Sequence, residues 1–263
     1  ATAAGYRRTV DYNRVDQEGV GYFQMTMKNG RRCSSAAAYL KPARKRSNLY
    51  IFTNAHSEKL LIDGNDVTGV RCKIQGKSVD ISARREVILS AGSIGSPQLL
   101  MLSGIGDAAE LRPHGIDVLH QLSGVGKNLQ DHLQARPVFK CRASTINTET
   151  KNIFQLAAIA FQYALNRSGP MAMAASLGTA FLKTNQELET PDIQFHIQPF
   201  SADKPGDGSH TFSAFTASVL QLRPESTGHV ELRSGEPDDH PAIHPNYLAT
   251  TTDCDTIVAG IKV

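Results

Sequence analysis

The sequence contains no tryptophan, no cysteine pair spaced C-x-x-C, no G-x-G-x-x-G and no long apolar run. Each absence excludes something. Its four cysteines, Cys33, Cys72, Cys141 and Cys254, lie far apart, without the spacing of zinc or dithiol redox motifs. Reduced thiols in a cytoplasmic setting are the simplest expectation. The most apolar run, 153–165, is 13 residues long and contains Gln155 and Gln162; a membrane span needs roughly 20 residues. Residues 1–13 hold no apolar core of signal-peptide length. No internal repeat or Ser/Gly/Pro-rich linker stands out. Neither charge sign dominates, with 28 Lys+Arg against 25 Asp+Glu in 263 residues, a net +3. The densest basic group, Lys41, Arg44, Lys45 and Arg46, has no interleaved aromatics, so it reads as a solvated face and no nucleic-acid partner is expected. The 40% hydrophobic content is that of a globular chain, with room for one large domain or two small ones.

Turn and period signals organise the chain. Asn29-Gly30 marks a turn, and 34–40 a short helix or loop. From residue 49 the pattern is β: apolar or alternating runs at 49–53, 59–63, 67–74, 78–82 and 86–90, with hairpin chemistry at Gly64-Asn65-Asp66. These predict an antiparallel meander ending in an apolar strand. Ser96 and Pro97 then open an apolar helical run over 96–102, a good N-cap and first-turn pair. The second half predicts strands at 134–142, 192–200, 213–223 and 229–233, with a strong helix over 152–166. The fold class is therefore α+β: a first part with a small antiparallel meander, and a second part with a mostly antiparallel sheet and helices on one side.

A strand end, a glycine and a helix N-terminus in succession bring backbone N–H groups close to a phosphate or ribose, although many α/β proteins place glycine there for packing only. Here that run is Gly92-Ser93-Ile94-Gly95-Ser96-Pro97-Gln98-Leu99-Leu100-Met101-Leu102-Ser103-Gly104-Ile105-Gly106. It resembles the second signature of the glucose–methanol–choline (GMC) flavin oxidoreductases. Further stretches agree in the family's order: 18–43, REVILSAG (85–92), GVGKNLQDHL (124–133), PDIQFHIQP (191–199) and PAIHPNYL (241–248). The resemblance covers nearly the whole chain. It implies a partial FAD-binding domain at 1–133, lacking the Gly-rich fingerprint, and a substrate-binding domain at 134–263, lacking the catalytic His segment. The chain is thus expected to be an internal piece of a longer enzyme, carrying no catalytic residue and binding no FAD alone. An apolar surface left by truncation would favour a homodimer.

The resemblance also assigns sites. Ala55, His56 and Ser57 are expected beside the adenine of FAD, mainly through backbone groups. Ser90, Ala91 and Gly92 are expected under the adenosine and pyrophosphate, where a side chain at Gly92 would obstruct the approach. Asn128, Asp131 and His132 are expected to fix a loop by hydrogen bonds, the alternative being direct contact with the cofactor. His196 and Gln198, on the polar face of their strand with Gln194, are expected on the wall of the substrate pocket; the alternative for His196 is a hydrogen-bonded sheet histidine. His240 and His244, near Asp238 and Asp239, suggest a metal cluster, but Pro241 and Pro245 disfavour the helix that would bring them together, and no metal is expected. Choline-specific members carry a carboxylate at or near the position of Leu177, and no acidic residue lies between Asn166 and Glu187. The implied activity is FAD-dependent oxidation of an alcohol CH–OH group to an aldehyde, with hydride passing to flavin N5. The implied partners are an uncharged alcohol and an electron acceptor that could bring the protein to a membrane surface. The alternatives are choline dehydrogenase proper, or a non-redox member such as a hydroxynitrile lyase or an isolated binding module.

Overall fold

The computed structural model describes residues 1–204 and 206–263. The chain forms two units, both discontinuous in sequence: Ala1–Leu49 with His132–Pro224 and Thr250–Val263, and Tyr50–Asp131 with Glu225–Ala249. The expected parts, 1–133 and 134–263, meet close to one of these crossings, but the observed units interleave. The reason is strand pairing: Gly19–Tyr22, in the first fifty residues, pairs with Gly178–Leu182.

In the first unit, six strands form an antiparallel sheet. Its order is Gly19–Tyr22, Gly178–Leu182, Ile193–Gln198, Ala214–Gln221 and Val138–Lys140, with Gln134–Ala135 also on Ala214–Gln221. The strand expected at 134–142 is two short ones, interrupted at Arg136 and Pro137; proline has no N–H for the ladder. Alternation gives the sheet two faces. One is apolar, where Ala180, Leu182, Ile193 and Val219 form a core with Tyr6, Val20 and Phe195 against it. The helix Thr251–Lys262 packs on that face, burying Ile257 and bringing Gly260 close to Val219 and Ile193. Thr250 caps it by accepting from Asp253 N–H at 3.2 Å. The opposite face is mostly polar, with Thr179, Gln194, His196, Gln198 and Ser218 beside Phe181 and Leu220. Ile153–Asn166 is helical as expected, with Asn152 Oδ1 accepting from Phe154 and Gln155 N–H. However, it buries none of its residues, and Phe154 is 83% exposed.

The second unit opens with the expected meander, an antiparallel sheet of Ala55–Asp63, Asp66–Ile74 and Lys77–Ser82. The helix Gly92–Leu102 packs along its first strand. Ser103 joins the two: its Oγ accepts from Leu60 N–H at 2.8 Å and donates to Leu99 O at 2.5 Å. Met101, Leu111, Val125 and Leu232 form the core of this unit.

Three expectations change. The runs 49–53 and 86–90 are not strands, because neither has a neighbour among the described residues to take its ladder bonds. The helix begins at Gly92 rather than Ser96 and carries Pro97 inside it. The strand expected at 229–233 does not join the large sheet. His229–Glu231 pairs with Ala242–His244, because Val230 and Leu232 are buried within this second unit. Among the described residues, no helix is long and apolar enough to cross a membrane.

Candidate functional site

In the second unit, the helix Gly92–Leu102 starts on an unusual residue. Gly92 has φ +81°, a left-handed conformation open to glycine and costly for other residues. A Cβ built on Gly92 would meet nothing within 4 Å, so the space above it is open. No side chain caps this end of the helix, and Ser90, Ala91 and Gly92 are all exposed. Free N–H groups and the positive end of the helix dipole favour an anion there. That chemistry suits a pyrophosphate, the group the resemblance places here. Ala55, His56 and Ser57 lie on the strand along which this helix packs. They pair with Ile74, Lys73 and Cys72, so one edge of their backbone is already used. His56 Nε2 sits 2.9 Å from Pro237 O, and Ser57 Oγ 3.8 Å from Cys72 Sγ. Their side chains are thus held within the unit, and the outer edge of the strand is what remains for a ligand.

In the first unit, the polar sheet face holds the second group of expected residues. Thr179, His196 and Ser218 stand opposite one another on three adjacent strands. His196 is half-buried. Burial, with a smaller contribution from His132, lowers its pKa and favours the neutral imidazole. The ring of Phe23 meets it edge-on at 4.9 Å. Gln198 donates to Ser176 Oγ at 3.2 Å and accepts from Arg136 at 3.4 Å. Ser218 is fully buried, and its Oγ has no hydrogen-bond partner among the described residues. His196 also lines a cavity of about 720 Å³ with Phe23, Met25, Tyr163, Met173 and Ser176. Among the described residues no carboxylate lines that cavity, whereas Arg31 and Arg32 do. Sequence reading singled out His196 and Gln198 but not Thr179, Ser218 and Arg136, which the sheet brings beside them. The alternation in Ala214–Gln221, with Thr216 and Ser218 on one parity, was the available signal.

Of the loop residues, Asp131 and His132 make hydrogen bonds, and Asn128 holds φ +56°. His132 Nε2 lies 3.0 Å from Leu222 O. Within the second unit, Tyr247 Oη donates to Asp131, a bond that raises the phenol's pKa. Asp238 and Asp239 do not gather around His240: Asp238 pairs with Lys73 at 2.5 Å, and Asp239 accepts from Ser234. Ser201, His210 and Asp203 are ordered like a hydrolytic relay, with contacts of 2.8 and 3.1 Å. But Ser201 has no exposed surface and its Oγ accepts from Asn147, so no carbonyl can reach it.

Family models for GMC oxidoreductases match residues 1–134 and 224–263. The chain belongs to the GMC oxidoreductases. It is 39% identical over 260 residues to an oxygen-dependent choline dehydrogenase of Staphylococcus xylosus, covering 99% of this chain and 46% of that protein. It is 39% identical over 256 residues to an alcohol dehydrogenase [acceptor] of Pseudomonas putida, covering 96% and 46%. The crystal structure of pyridoxine 4-oxidase from Mesorbium loti matches with a TM-score of 0.83 at 25% identity, over 99% of this chain and 48% of that one. Formate oxidase of Aspergillus oryzae, studied for modification of its FAD, matches with a TM-score of 0.77 at 27% identity, over 90% and 46%. This GMC chain therefore spans about half the length of the relatives it matches, and its α+β architecture is theirs.

Proposed function

We propose that the protein to which this GMC chain belongs oxidises the CH–OH group of an uncharged alcohol, with FAD as its cofactor. One observation carries the substrate class: the His196 face and its cavity present neutral polar groups, apolar groups and arginines, but no carboxylate. Leu177, whose N–H donates to Ile197 O, immediately precedes the strand Gly178–Leu182. A permanent cation has no anion there to offset its desolvation. A neutral imidazole offers one donor and one acceptor to a hydroxyl. In this reading His196 orients the alcohol, Thr179 and Ser218 extend the polar row, and Phe23 and Met25 exclude water around the carbon chain. Ser90, Ala91 and Gly92, with the strand edge at Ala55, His56 and Ser57, would hold the adenosine and pyrophosphate of FAD. When bound, FAD supplies the hydride acceptor. An electron acceptor completes turnover.

Choline is the second reading. The Staphylococcus relative is named for it, and Tyr12, Phe23 and Phe181 form an aromatic group beside His196, a surface that can attract a cation. An assay of the full-length protein with a primary alkanol, choline and a dye acceptor separates the readings. Dye reduction with alkanol but not choline is expected. Reduction with choline alone selects the second reading, and cyanohydrin cleavage without dye reduction rejects redox function altogether.

A further inference from the structure

We propose that His229, Glu231 and His244 bind one divalent transition-metal ion of the zinc class. The site arises from strand register. His229 and Glu231 are two apart on one strand and so share a face, and His244 stands directly opposite His229 on the partner strand. Cross-strand pairs place side chains within reach of one another. The two imidazoles stack with centroids 4.6 Å apart. His244 Nε2 lies 3.0 Å from Glu231 Oε1, and His229 Nε2 lies 3.7 Å from Glu231 Oε2. One donor atom from each residue falls within 4.8 Å of the other two.

Zinc takes imidazole nitrogen and carboxylate oxygen at about 2.0–2.2 Å, which sets tetrahedral donors about 3.3 Å apart. The observed separations, at most 4.8 Å, must close to about 3.3 Å for the three groups to meet one ion. Two imidazoles and one carboxylate suit zinc, nickel or copper over magnesium or calcium, which prefer oxygen. All three residues are 40–49% exposed at the side chain, so water can fill the remaining positions. The hairpin is also firmly built. Val230, on its other face, is buried. At Gly228 a Cβ would lie 1.9 Å from His244 O, so only glycine allows this approach. The loop 232–241 that joins the strands touches His56 through Pro237 and Gln98 through Asp239. An ion across the strand pair would clamp the base of that loop.

The sequence directed attention to His240 with His244, four residues apart. The structure instead pairs His244 with His229, 15 residues away.

The test is a Zn²⁺ titration of the full-length protein, stripped with a chelator, against a chromophoric competitor. Co²⁺ in place of Zn²⁺ reports the geometry by its visible bands. One saturable equivalent is expected. Replacing a ligand should weaken it by at least the roughly 10–100-fold that outer-shell partners alone are worth. That loss should appear in both His229→Gln and His244→Gln, with His240→Gln unchanged. Zinc should also raise the Tm of the parent protein and of His240→Gln, but of neither ligand variant. Unchanged affinity in either ligand variant, equal weakening by His240→Gln, or no saturable equivalent would overturn the proposal.

Discussion

At the scale of single residues, conformation and burial each make a measurable demand. Gly92 holds φ +81° with open space beyond it. Gly92→Ala therefore meets no clash, and its cost is that of the backbone alone, about 1–2 kcal/mol for an L-residue in the left-handed region. Urea denaturation should show this as a lower midpoint with an unchanged slope. A loss above about 4 kcal/mol would mean that the glycine is needed for a contact as well. Ser218 makes the opposite demand, because its buried hydroxyl lacks a partner among the described residues. An unsatisfied buried group costs about 1–3 kcal/mol, so Ser218→Ala should leave the protein as stable or more stable. Marked destabilisation would show that the hydroxyl has a partner. His196 adds a pH dependence. Its folded pKa is lowered by burial, so below the ordinary imidazole range near 6.5 the unfolded chain takes up a proton first. The stability associated with neutral His196 is present above that value and is lost as pH falls through the folded pKa. His196→Gln should flatten this part of the stability–pH curve, and an unchanged curve would remove His196 as its source.

At the scale of elements, side chains that bridge two elements should matter more than those that only lie on one. Ser103 carries two bonds, tying the helix Gly92–Leu102 to the strand Ala55–Asp63. Ser103→Ala would leave the buried Leu60 N–H unpaired, and about 1–3 kcal/mol should be lost. Hydrogen exchange should show faster opening at Leu60, and unchanged exchange there would contradict the bridging role. Legibility in the sequence followed the same division. Elements defined by local chemistry were readable: the Asn29-Gly30 hairpin turn, with both residues at positive φ, and the Asn152-capped helix. Alternation over 192–200 and 213–223 also placed His196 on a polar face, since strand period is local. What depends on partners was not readable. The runs 49–53 and 86–90 have strand composition, but a strand needs a neighbour and none is described. The pairing of His229 with His244 required the register of a hairpin whose ten-residue loop, 232–241, has no turn signature at a fixed offset.

At the scale of the whole molecule, the interleaving of the two units follows from long-range pairing, which sequence patterning does not encode. Each unit has its own core: Ala180, Leu182, Ile193 and Val219 in one, and Met101, Leu111, Val125 and Leu232 in the other. The first unit draws on three separate stretches of chain and the second on two. This makes cooperativity testable unit by unit. Ile193 and Leu111 are both fully buried, and truncation of such a residue to alanine costs about 2–5 kcal/mol. Ile193→Ala should accelerate amide exchange across Gly178–Leu182 and Ala214–Gln221, which flank its strand, and spare Ala55–Asp63. Leu111→Ala should do the reverse, loosening Gly92–Leu102 and His229–Glu231 while the six-stranded sheet keeps its protection. This contrast is expected because sub-global opening follows contiguous packing, and each truncation removes contacts from one core alone. If either variant accelerates exchange equally in both sets of strands, the two cores open as one, and the division into units is geometric rather than energetic.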